Sequence, residues 1–202
     1  PQSKFYQLPS SLYYATKNPT TTGNWQFLVN LANVPGNLND LSHFANKSAL
    51  LIEPLIYDDD SNIKNEYKEI QVHAIEFLTK MIENDSIKEL SIGYEKIIYN
   101  IITIMKKFQH HNFALNACVN FIVAAINSDE MKNDIISIVY PFFIDTIQKN
   151  DINERFLIAF CKCCIDKIYL INETLTQDIP NSIMNQCYSW SKFCRPKSEE
   201  RT

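Results

Sequence analysis

Six cysteines and four histidines are the side chains of this chain best suited to metal binding or nucleophilic chemistry. The densest group is Cys161-Lys162-Cys163-Cys164. Zinc takes four nitrogen or sulfur ligands, usually from paired knuckles. On a helix Cys161 and Cys164 share a face and Cys163 points elsewhere. The only later thiols, Cys187 and Cys194, come with no histidine-bearing partner stretch. The run sits in an apolar helical pattern, where cysteine packs as a small hydrophobe. A cysteine nucleophile needs a histidine and an orienting group within reach, and spacing ties none of His43, His73, His110 or His111 to it. His110-His111 falls at a turn, where two neighbouring imidazoles seldom hold one metal, and His73 lies between Val72 and Ala74 at a helix boundary. Asp58-Asp59-Asp60-Ser61 offers carboxylates without the alternating ligands, glycine and terminal Glu of a calcium loop. It reads as a solvated loop whose charge suits the start of the next helix. There is no phosphate loop, glycine-rich dinucleotide turn, serine elbow or His-Glu-x-x-His helix. The expectation is a chain with no catalytic residues, no cofactor and no metal.

Composition narrows the class further. Hydrophobic residues make up 46% of the 202 residues and charged residues 21%, enough to bury a core. Only three glycines occur, which disfavours turn-rich sheets and phosphate cradles. The net charge of -4 makes nucleic acid an unfavoured partner. Cysteines embedded in apolar helical pattern, not spread through loops, read as reduced thiols of a cytoplasmic or nuclear protein. The triplets at Asn46 and Asn172 are ordinary in a chain rich in asparagine. No apolar run reaches the roughly 18 residues of a membrane span. Pro1 opens the chain without Met, which reads as a fragment or processed form. The abundance of Ile (27) and Asn (21) suggests an AT-rich, eukaryotic genome.

The elements that would position these side chains are helical. Residues 1–23 read as an extended arm, and 24–61 as short irregular helices acting as a cap or degenerate repeat. Within the latter, 24–34 stops at Pro35-Gly36, a second helix covers 38–44, and Ser48 caps a third over 49–57 that Pro54 interrupts. From residue 62 apolar positions recur at three- and four-residue spacing, predicting helices over 62–83, 87–108, 112–127, 130–149, 153–172 and 179–194. Pro141 should kink or split the fourth of these after Tyr140. The polar turns between them are short, which forces antiparallel pairs. Residues 195–202 form a charged tail.

Alternate helices superpose. Phe77-Leu78-Thr79-Lys80-Met81-Ile82 matches Phe121-Ile122-Val123-Ala124-Ala125-Ile126 at an offset of 44. At an offset of 45, Phe113-Ala114-Leu115 meets Ile158-Ala159-Phe160, and Cys118 meets Cys163. A small residue thus recurs at Ala74, Cys118 and Cys163. With this period and two helices in each unit (62–108, 112–149, 153–194), residues 62–194 resemble the HEAT/armadillo superfamily. The first-helix proline, the recurring Asp/Arg pair and the turn glycine of that superfamily are missing. The resemblance implies an all-α, right-handed α-solenoid of about three to four stacked antiparallel pairs; an irregular helical bundle is the alternative. It also implies a protein-interaction scaffold or adaptor within a larger assembly, whose second helices line a groove for a peptide or partner helix. Their polar ridges carry Lys96, Tyr99, Asn100, Thr103 and Lys107, then Tyr140, Asp145 and Gln148, then Gln186, Ser189 and Lys192, with Tyr99 and Tyr140 as anchors. An RNA-binding helical repeat is the alternative function, with charge from Lys96, Lys106, Lys107, Lys192 and Arg195, but no dense basic stripe supports it.

Overall fold

A computed structural model describes residues 22–33, 41, 43–52, 69–87, 90 and 92–194; the side chains of His43 and of residues 188–194 lie outside that description. The described residues form eight α-helices and no strand. These are α1 (Thr22–Ala32), α2 (His43–Ile52), α3 (Glu69–Glu83), α4 (Tyr94–Lys107), α5 (Asn112–Ile126), α6 (Lys132–Lys149), α7 (Arg155–Ile171) and α8 (Asn181–Cys194). The expected arm over most of 1–23, the Pro35-Gly36 stop, Pro54, the loop 58–61 and the tail 195–202 fall outside the described residues.

Helices pack two apart along the chain. α1 lies on α3, α3 on α5 and α5 on α7, while α2 lies on α4, α4 on α6 and α6 on α8. Sequential contacts of α2 with α3, α4 with α5, α5 with α6, α6 with α7 and α7 with α8 join the two series. One apolar core runs through all eight helices, from Trp25 to Cys187. The reason is visible in α5, which buries ten of its fifteen residues because α3, α4, α6 and α7 all touch it. Turns of four or five residues return α5 along α4, α6 along α5 and α7 along α6.

Buried positions recur at regular spacings, one of which differs from the sequence reading. Ala74, Ile75, Phe77, Leu78, Met81 and Ile82 are buried, as are the residues 44 positions later, Cys118, Val119, Phe121, Ile122, Ala125 and Ile126. The next match is at 43 residues and not the expected 45. Ala114, Leu115, Cys118, Phe121, Ile122 and Ala125 correspond to Leu157, Ile158, Cys161, Cys164, Ile165 and Ile168, all buried. Cys163, expected at the small-residue contact, is only partly buried, and Cys161 fills that place. The other series repeats too: Ile97, Ile98, Ile101, Ile104 and Met105 of α4 correspond, 42 residues on, to Val139, Tyr140, Phe143, Thr146 and Ile147.

Two local expectations change. Ser48 does not start a helix. It lies inside α2, buried, and its hydroxyl donates to the Ala74 carbonyl at 2.6 Å, a bond that fastens α2 to α3. Pro141 does not split its helix. α6 continues through it, because Pro141 is exposed on the same side as Ser137, whose carbonyl loses its partner toward water.

Scarce glycine is replaced by asparagine and aspartate. Asn150, after α6, and Asp85, after α3, take φ near 47° and 50°, the left-handed region that ends helices. Gly93 stands before α4 at φ 72°, where a side chain would be strained. α5 begins on His111, whose Nδ1 accepts from the Ala114 N–H at 3.2 Å. His111→Ala is expected to lower stability by about 1 kcal/mol, and His111→Asn to restore most of it. Urea midpoints of the two variants check this.

Candidate binding surfaces

The two helix series give the molecule two broad faces. On the α2, α4, α6, α8 side, the expected ridge is partly present. Lys96, Tyr99, Thr103 and Lys107 of α4 are exposed, Tyr99 at 52%. Asp145 and Gln148 of α6 and Gln186 of α8 are exposed as well. Asp145 is engaged by Lys149 at 2.7 Å, and Gln186 donates to the Ser182 carbonyl. Ser189 and Lys192 belong to α8, but their side chains lie outside the described residues.

Two expected members of that ridge are not on the surface. Tyr140 is 2% exposed, and its hydroxyl donates to the Leu175 carbonyl, so the expected anchor closes the turn before α8 instead of meeting a partner. Burial, with Cys164 and Asp178 nearby, keeps that phenol protonated far into the alkaline range. Asn100 is buried on the same side of α4 as Ile97, Ile101 and Ile104, and its Nδ2 finds no hydrogen-bond partner among the described residues. Polarity alone assigns both residues to the surface, whereas both are turned inward.

The opposite face carries a feature that no single stretch of sequence announces. α1, α3 and α5 enclose an open groove of about 490 Å³, lined by Gln26, Val29, Glu76, Thr79, Lys80, Glu83, Ala117, Asn120 and Val123. Its apolar lining residues, Val29, Ala117 and Val123, are small. Thr79 turns its hydroxyl back to the Ile75 carbonyl at 2.8 Å and so offers the groove its methyl. The rim is polar and internally paired: Lys80 to Glu83 at 2.7 Å, His73 to Glu76 at 2.8 Å, and Lys167 of α7 to Asn120 at 3.2 Å. Such a groove seats one or two apolar side chains between rims that supply hydrogen bonds. The signal that points to it is the recurrence of small side chains (Thr79, Ala117, Val123) on neighbouring first helices, seen only once register is known.

The cysteines converge in the core. Cys118 of α5, Cys161 and Cys164 of α7 and Cys187 of α8 are all buried and reduced. Burial pushes the Cys187 thiol up to about 12, and it raises Cys118, Cys161 and Cys164 too. These groups stay protonated and unreactive at neutral pH. Among the described residues no group of three or more His, Cys, Asp or Glu is placed to hold a metal ion. No helix among them is long and apolar enough to cross a membrane. Comparisons with protein-family models, with curated proteins and with solved structures found no match.

Proposed function

We propose that this chain is a segment of a helical-repeat scaffold, a right-handed α-solenoid of the HEAT/armadillo kind that binds proteins and performs no chemistry. The observation that carries the reading is the packing of each helix on the helix two before it, at a spacing of 42 to 44 residues between matching buried positions. A stack of this kind exposes two extended helical faces while sharing one core. Faces of this type serve recognition, and this one has a groove with small apolar lining residues and a hydrogen-bonding rim across α1, α3 and α5. The exposed stripe Lys96, Tyr99, Thr103 and Lys107 is a second contact area on the other face. The partner is a protein presenting a helix or peptide, within a larger cytoplasmic or nuclear assembly.

The test is affinity capture from native extract with two surface variants. Lys80→Glu/Asn120→Glu makes the groove's rim acidic at residues that reach the surface, and Lys96→Glu/Lys107→Glu reverses the stripe. A specific partner whose recovery falls at least about tenfold with one of them supports the reading. Equal recovery with both variants contradicts it.

A further inference from the structure

Two inter-helix turns meet at one edge of the molecule. The turn from α4 to α5 carries His110 and His111, and the turn from α6 to α7 carries Ile152 and leads into Arg155 and Phe156. The rings of His110 and Phe156 lie 5.5 Å apart, edge to face, and those of His111 and Phe113 lie 6.3 Å apart. An aromatic strip therefore runs from Phe156 through the two histidines to Phe113. Its apolar side chains face solvent: Phe113 is 77% exposed, Ile152 77% and Phe156 39%. Isolated exposed apolar residues are ordinary, but a contiguous patch marks a contact site.

Charge says what kind of contact. Each of the edge's anions has a donor or a cation beside it. Asp145 bonds Lys149, Glu154 adds its field at the same lysine, and Asp151 accepts from the Asn153 backbone and side chain. Apart from Lys149, its cations are not engaged in this way. Lys106, Lys107 and Arg155 make no ion pair among the described residues and rest over the rings of Phe142, Phe108 and Phe156. Arg155 is the first residue of α7, where the helix dipole disfavours a cation, and no side chain caps that terminus.

We propose that this edge binds an acidic linear segment of a partner protein, whose apolar side chain covers Phe113 and Phe156 while its carboxylates meet Lys107 and Arg155. The idea rests on the scaffold reading and adds the chemistry of one partner segment. Three cations are few for binding driven by phosphate counterions, and Ile152 offers nothing to a base, so a peptide fits better than a nucleic acid.

The experiment uses the full 202-residue chain and a displayed library of random linear peptides, with oligouridylate as a second probe. The expected result is a selected consensus of an apolar residue flanked by Asp or Glu. Its synthetic peptide should bind about tenfold more weakly to Phe113→Ser and to Arg155→Glu, and more weakly as salt rises. Phe113 is largely solvent-exposed, so Phe113→Ser should melt like the parent, which separates lost binding from lost folding. Peptides that bind both variants undiminished overturn the edge site and leave the scaffold reading intact if Lys80→Glu/Asn120→Glu abolishes them. A consensus without acidic residues, no selected peptide, or oligouridylate binding tighter than any peptide overturns the proposal.

Discussion

Phe121→Ala is expected to lower the unfolding free energy by about 3–5 kcal/mol, near the top of the range for a single core truncation. Phe121 is fully buried in α5, the helix that touches α3, α4, α6 and α7 at once. Truncation removes the transfer energy of the ring and leaves a cavity that neighbours on four sides cannot all close. Against a total stability of about 5–15 kcal/mol, that loss brings the chain near its threshold. Phe113→Ala, eight positions earlier on the same helix, should change stability by less than about 0.5 kcal/mol because its ring is 77% exposed. Urea or thermal melts of both variants check the contrast, and equal losses would mean that the α5 register is wrong.

Alkaline pH should unfold the chain well before its backbone chemistry fails. Cys118, Cys161, Cys164 and Cys187 have thiols raised by burial, Cys187 to about 12. In the unfolded chain each ionises near about 8.5. Between those limits the folded state holds protons that the unfolded state has released. The thiols' contribution to stability is therefore constant below about pH 8.5 and falls above it by about 1.4 kcal/mol per pH unit for each thiol. Four together give a slope of about 5 kcal/mol per unit, enough to consume ordinary stability near about pH 10. Urea midpoints from neutral pH upward should show the decline, and Cys118→Ala/Cys187→Ala should roughly halve its slope. A midpoint independent of pH up to about 10 would contradict the buried, protonated cluster.

Helix positions are legible in the sequence because periodicity of three and four residues survives in every segment from α3 onward, and because the short turns between α4 and α7 favour antiparallel return. Side-chain direction is less legible wherever a polar or aromatic residue has two uses. Tyr140 has the composition of an interface anchor, yet its hydroxyl finds the Leu175 carbonyl inside the protein. Asn100 lies on a polar-looking ridge yet is buried. Cys161 and Cys163 are chemically identical and two positions apart, so matching by residue type selects the wrong one, and only burial separates them. An offset of 45 aligns Phe113 with a core position, but it stands at the first turn of α5, beyond the reach of α7's apolar side. The groove over α1, α3 and α5 comes from residues up to about a hundred positions apart, and a single sequence carries no record of that contact. His111 reads as a plain turn residue, because histidine is not among the customary helix-starting residues.

Removal of α7 and α8 tests the serial stack most directly. In a stack each pair leans on its neighbour, so a chain ending at residue 150 should keep its helical circular dichroism per residue and a cooperative, lower melt. Loss of both, with the remaining helices reduced to a disordered or molten chain, would mean a single closed core that tolerates no missing pair, and the scaffold reading would go with it.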